Sequence, residues 1–280
     1  MTPFRKMNGL GNDFLVVDAR ARPFHLPADR VRRLADRRTG VGFDQLIVIE
    51  PSSAGEDATM RIVNADGGEV ESCGNAARCV AGLLLEEGRE RVTLGSVGGT
   101  MRAWATGDGT VAVDMGPPRF GAEDIPLADP SADPLALDFP ERELARFGPA
   151  ACVNVGNPHA VFFVADLHAV PLAQVGSRLE THPAFPQRAN ISFAVVERPD
   201  LVSAVVHERG VGPTRACGTA ACAIAAVGAR LGRLAEAVTV RLPGGPLEIG
   251  RDGESIVMVG PTALDWTGIL TDDGFLRDPG

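Results

Sequence analysis

Residues 71–79, ESCGNAARC, and residues 215–223, RACGTAACA, each set a cysteine directly before a glycine at the start of an apolar run. Cys73 and Cys217 lie 144 residues apart. A structural cysteine has no need of a twin, and the echo extends outward from both. GLGNDFLVVDA (9–19) returns as NVGNPHAVFFVAD (154–166) at an offset of 145, and VGGTM (97–101) as LPGGPL (242–247) at 146. VDMGPP (113–118) returns as VMVGPT (257–262), and Asn64 corresponds to Glu208, both at 144. An offset this steady, with the pieces in order, marks two halves of similar fold.

Each half reads as short β-rich runs leading to one helix. FLVVDA, LIVIE and MRIVN precede the first helix; VFFVAD, SFAVVE and SAVVHE precede the second. The helices are predicted from Cys73 to about Glu87 and from Cys217 to about Leu231, stopped by Gly88 and Gly232. The expected fold class is α+β, with two pseudo-symmetric domains, each a mostly antiparallel curled sheet around a central helix. The boundaries place residues 1–118 in the first half, joined by a C-terminal strand in 263–280, and 119–262 in the second. Residues 119–149, rich in Pro and Asp, read as the connection.

Composition narrows the function. The 280 residues carry a net charge of −9 with no basic run interleaved with aromatics, which argues against a nucleic-acid partner. No apolar stretch resembles a signal peptide or reaches the length of a membrane span, so a cytoplasmic location with reduced cysteines is expected. Cys73, Cys79, Cys152, Cys217 and Cys222 contain no C-x-x-C pair, and no metal site is expected. Cys79, Cys152 and Cys222 read as core. Lys6 is the only lysine, so a Schiff-base enzyme would have to use it.

A helix N-terminus offers backbone N–H groups without partners and a dipole that favours negative charge. A cysteine there is expected to have a lowered pKa. Gly74 and Gly218 permit close approach to the backbone, Asn75 and Thr219 fit the capping turn, and the free N–H groups can hold a carboxylate. Two facing halves would set one thiol on each side of a bound carbon. Inverting a stereocentre that bears hydrogen needs such a base and acid on opposite faces. Three other readings stay open: an inert relic of duplication, a dithiol oxidoreductase, and a non-catalytic amino-acid-binding protein.

KMNGLGNDFLVVD, VGFDQL, NADGGEVESCGNAARC, GNPHAVFF, RANISF, HERGVGPTRACGTAACA and LPGGPLEI, in this order over essentially the whole chain, resemble diaminopimelate epimerase. The resemblance implies two diaminopimelate-epimerase-like domains, no cofactor, a homodimer, and interconversion of LL- and meso-diaminopimelate. It makes Cys73 and Cys217 the acid/base thiols and His159 and Glu208 the neighbours that tune them. Gly74, Asn75, Gly218 and Thr219 would hold the carboxylate of the reacting centre. Asn12, Gln45, Asn64, Asn157, Asn190 and Arg209 would hold the substrate's amino and carboxylate groups. Ala76 and Ala220 stand where the family often has glycine, which narrows the space beside the carboxylate. The alternative on the same fold is a proline-racemase-like enzyme. Arg209, Asn64 and Asn190 argue against it, because a small cyclic substrate has no distal zwitterion to bind.

Overall fold

The computed structural model describes residues 1–52, 54–71 and 73–278. Pro279 and Gly280, the end of the 263–280 stretch, lie outside the described residues. The chain divides into one unit of Met1–Asp114 with the residues from Gly260 onward, and a second of Met115–Val259.

In the first unit the order is β1 (Thr2–Gly9), β2 (Asn12–Asp18), α1 (Ala28–Ala35), β3 (Gln45–Glu50), β4 (Ala58–Asn64), β5 (Glu69–Val70), α2 (Gly74–Glu86), β6 (Arg91–Ser96), β7 (Gly99–Ala105) and β8 (Thr110–Asp114). There follow α3 (Arg142–Ala145), β9 (Ala151–Asn154), β10 (Pro158–Phe163), α4 (Leu172–Glu180), β11 (Asn190–Arg198), β12 (Leu201–Glu208), β13 (Gly212–Thr214), α5 (Gly218–Arg230), β14 (Val238–Leu242), β15 (Gly245–Asp252) and β16 (Ser255–Pro261). The chain then returns to the first unit as β17 (Ala263–Leu270) and β18 (Phe275–Arg277).

The pairing pattern is written twice. β2–β3 is parallel, β3–β4 and β4–β5 antiparallel, β4–β6 parallel, and β6–β7–β8 antiparallel. β10–β11, β11–β12, β12–β13, β12–β14 and β14–β15–β16 repeat those senses in turn. Antiparallel pairs dominate each unit, and β17 and β18 add two more beside β1.

Each sheet packs around a helix that is apolar on nearly all sides, the pattern of a helix buried within a core. α5 has Ala, Gly, Cys, Ile and Val on its buried faces, and Ala220 to Ile224 are without exposure. Such small side chains let the sheet approach closely. The helices begin one residue later than the sequence suggests. Cys73 (φ −150°, ψ 109°) and Cys217 (φ −137°, ψ 110°) are extended N-cap residues, outside the first turn. Gly88 and Gly232 follow the helix ends with φ of 93° and 66°, a region glycine enters without penalty.

Two expectations need correction. Each unit has a second helix, α1 or α4, where the sequence suggested only one of substance. Their starts, Ala28 and Leu172, also lie 144 residues apart. Each has a short apolar stripe, Val31–Leu34–Ala35 or Val175–Gly176–Leu179, and helices this short depend on packing more than on propensity. Residues 119–149 are also more than a connection. Ile125, Leu127, Phe139, Leu144 and Phe147 join Phe162, Phe185 and Phe193 in the core of the second unit. The Pro- and Asp-rich turns between these anchors concealed them.

α2 and α5 give opposite expectations for glycine. A Cβ on Gly228 would stand 2.4 Å from Leu234 Cδ1, whereas one on Gly82 would meet nothing nearer than Thr262 Oγ1 at 3.3 Å. Gly228→Ala is expected to lose about 1–3 kcal/mol from overpacking, despite the better helix former. Gly82→Ala should stay within about 1 kcal/mol of wild type, the helix-propensity gain being set against a small shift of the Thr262 hydroxyl. Urea unfolding measures both; a Gly228→Ala protein as stable as wild type would refute the packing of Leu234.

Candidate active site

In the first unit the β1–β2 turn takes positive φ at Leu10 (61°) and Gly11 (83°) and delivers Asn12 to the start of α2. Asn12 Nδ2 donates to Asp44 Oδ2 at 3.0 Å. Its Oδ1 then accepts from Asn75 Nδ2 at 3.3 Å and lies 3.9 Å from Cys73 Sγ. Gln45 and Asn64 are register partners across β3–β4, and Gln45 Nε2 donates to Asn64 Oδ1 at 3.0 Å. Gln45 Oε1 is buried without a hydrogen-bond partner. The first α-helical bond of α2 runs from Ala77 N–H to Cys73 C=O, so the N–H groups of Gly74 and Asn75 have no partner within the helix.

Sequence reading missed the support beneath Asn12. Asp44 accepts from the Asp13 backbone N–H at 2.9 Å and from Arg37 at 2.8 Å. Asp13 in turn holds Arg37 and Lys6, the latter at 2.9 Å. Burial pushes the Asp13 carboxyl up, but Arg37 and Lys6 outweigh it and hold it below the ordinary range. Lys6, Asp13 and Asp44 lie within the quoted KMNGLGNDFLVVD and VGFDQL, but those motifs do not show which of their residues pair or that Arg37 joins them.

The second unit builds the corresponding end of α5. Asn157, Asn190, Glu208, Cys217 and Thr219 occupy the places of Asn12, Gln45, Asn64, Cys73 and Asn75, at offsets of 144 or 145. Cys217 is buried, with Thr219 Oγ1 3.5 Å from its sulfur. Glu208 accepts from Thr214 Oγ1 at 2.5 Å. His159, fully buried on β10, has Nε2 2.7 Å from Asn157 Oδ1, so an amide is the partner found for its ring. Asn190 donates to Pro158 O at 3.1 Å and accepts the Arg209 backbone N–H at 2.9 Å. Arg209 Nη1 donates to Gln187 O at 3.3 Å.

This duplicated constellation agrees with comparison to known proteins. The family model described as diaminopimelate epimerase matches residues 4–121 and 151–264. The chain belongs to the diaminopimelate epimerase family. The diaminopimelate epimerase of Erythrobacter litoralis is 51% identical over 267 residues, 95% of this chain and 96% of its own. That of Phenylobacterium zucineum is 46% identical over 272 residues, 96% and 97% of the two chains. Two solved structures share the fold at 17% identity. A probable proline racemase from Agrobacterium radiobacter, with bound carbonate, has a TM-score of 0.68 over 98% of this chain and 94% of its own. A hydroxyproline epimerase from Agrobacterium vitis, with bound trans-4-hydroxy-L-proline, has 0.67 over 99% and 93%.

The electrostatics of this family member correct one expectation. Cys217 was expected to have a lowered pKa, yet burial and then the Glu208 carboxylate raise it well above the ordinary value. The Thr219 hydroxyl and the Ala220 N–H do oppose the rise, as a helix N-terminus should, and they lose. His159 moves the other way, down to about 3, because burial disfavours its cation and Arg209 repels it.

Cys79 is pushed up to about 12 by burial, and Cys152 is raised by the same cause. With Cys217, these groups keep protons in the folded state that the unfolded chain releases above pH about 9. Stability is therefore expected in full below that pH and to fall as pH rises through the window. Urea unfolding in reductant from pH 7 to 11 measures the decline, and Cys79→Ala should flatten it; an unchanged slope would refute this origin. Glu208→Gln should lower the pH midpoint of Cys217 alkylation, followed by peptide mass spectrometry. An upward or absent shift would show that Glu208 does not act on the thiol.

Proposed function

We propose that this chain interconverts LL- and meso-2,6-diaminopimelate without a cofactor, with Cys73 and Cys217 acting on opposite faces of one α-carbon. The observation that carries this reading is the repetition of a thiol as N-cap of the central helix in each unit. Each cap adjoins N–H groups able to take a carboxylate, those of Gly74 and Asn75 and those of Gly218 and Thr219. Stabilising charge on that carboxylate is what makes a weak carbon acid removable.

One thiolate removes the α-proton and the opposite thiol returns a proton to the other face. The enzyme finishes with its two protonation states exchanged, and solvent restores them. Burial and Glu208 keep Cys217 protonated, which suits it to be the donor in the direction where Cys73 is the base. The reverse direction exchanges the roles. Arg209 presents the fork a distal carboxylate needs, and the amide oxygens of Asn64 and Gln45 suit ammonium groups.

Pyridoxal phosphate is a poor fit to the lysine inventory. Lys6, the only lysine, is buried with its amine 2.9 Å from Asp13 and 3.9 Å from Asp265. A cytoplasmic homodimer completes the proposal. None of the five cysteines is in a disulfide, and Leu264 and Leu276 of β17 and β18 expose apolar side chains. Sedimentation at micromolar protein tests the dimer.

Turnover in deuterated water tests the chemistry. Product should acquire deuterium at the inverted carbon, because the donor thiol equilibrates with solvent; retention of the original hydrogen would defeat the two-base reading. Cys73→Ala and Cys217→Ala should each lose about 10²–10⁴-fold or more in epimerisation while remaining folded. Arg209→Lys should lose most of kcat/KM on diaminopimelate, since an ammonium cannot reproduce a bidentate contact. Wild-type kcat/KM in that variant would reassign the distal end.

A further inference from the structure

The turn between β12 and β13 carries Glu208 and Arg209, and its glycines Gly210 and Gly212 take φ of 75° and 102°. A turn with that freedom does not hold its side chains in place alone. Two side chains grip it. Asn190 accepts the Arg209 N–H, and Glu180, the last residue of α4, accepts the Gly210 N–H at 2.8 Å. Glu180 is buried, and its other contacts are His207 Nδ1 and Arg188 Nη1, each at 3.5 Å. Arg188 belongs to the 187–190 segment, whose Gln187 carbonyl accepts the Arg209 guanidinium. One carboxylate therefore ties together both segments that hold Arg209.

The first unit keeps the same device with the polarity reversed. There Arg32 of α1 donates to Asp66 O at 3.0 Å, in the turn that follows Asn64. Gly67 of that turn approaches α1 so closely that a Cβ would stand 2.5 Å from Ala28 Cβ. A contact between second helix and turn, kept in both units by different chemistry, points to a requirement for holding the turn.

We propose that Glu180 is a positioning residue for the reaction, acting through the Gly210 N–H to fix Arg209 and Glu208; this rests on the diaminopimelate reading above. Burial makes a hydrogen bond to this side-chain oxygen strong enough for the task, and losing the acceptor would leave the Gly210 N–H without its partner.

The test compares Glu180→Ala, Glu180→Gln and Glu180→Asp in the full chain, with steady-state kinetics on LL-diaminopimelate and circular dichroism. Glu180→Ala is expected to raise KM about tenfold or more, the scale of one lost charge-assisted hydrogen bond, with a smaller change in kcat. Glu180→Gln keeps an oxygen for Gly210 and should stay within about threefold of wild type. If Glu180→Ala does not fold, Glu180→Asp decides, since it withdraws the carboxylate by one methylene and should raise KM severalfold. Folded Glu180→Ala or Glu180→Asp with wild-type KM, or a lower melting temperature with unchanged kinetics, would overturn the assignment. A wild-type enzyme inactive on diaminopimelate would instead overturn the functional reading. In that event alkylation of Cys217 still tests the clamp: Glu180→Ala should shift its pH midpoint as Glu208→Gln does, and no shift would refute it.

Discussion

A helix wrapped by a sheet can bury most of the side chains it carries, but the first N–H groups of its backbone still need acceptors. α2 and α5 are such helices, and the polar chemistry of each unit gathers where they begin. Gln45 opens β3 and Asn64 closes β4; Asn190 opens β11 and Glu208 closes β12. The strand ends that supply these residues lie in register beside one another, as Gln45 with Asn64 and His159 with Asn190. A thiol at the cap and an anion over the N–H groups answer the same electrostatic need. The site is therefore where the fold leaves hydrogen bonds to be completed.

The two ends share geometry and differ in charge. Asn64 in one unit stands where Glu208 stands in the other, and Phe14 where His159 does. A carboxylate beside Cys217 adds to burial, and together they override the helix N-terminus.

Much of this was legible in the sequence because duplication writes a signal twice. The offset of 144 located both helices to within a residue and aligned the strands that feed them. α1 and α4 were not legible, since eight or nine residues with three or four buried positions do not stand out from a polar surrounding. The aromatic anchors of 119–149 were hidden by their turns. At the site, the residues that touch the caps followed from motifs, while the role of Asp44, inside one of them, and Glu180 itself did not. Their roles depend on folding that joins distant segments, which one sequence does not reveal. The direction of the Cys217 shift was also missed, because a helix dipole can be read from a pattern and the extent of burial cannot.

Those supporting residues decide which end of each amide faces the site. A carboxylate only accepts, so Asp44 takes Asn12 Nδ2 and turns Asn12 Oδ1 toward Asn75 and Cys73. A backbone N–H only donates, so Arg209 N fixes Asn190 Oδ1 in the same way. Gln45 gives its nitrogen to Asn64 Oδ1, which leaves Gln45 Oε1 as a buried acceptor with no donor. Leaving such an oxygen unsatisfied costs about 1–3 kcal/mol. An ammonium group, with three donors and no acceptor, is the partner that would relieve it. The orientation of one amide thus carries a charge preference that neither its burial nor its position in the strand would reveal.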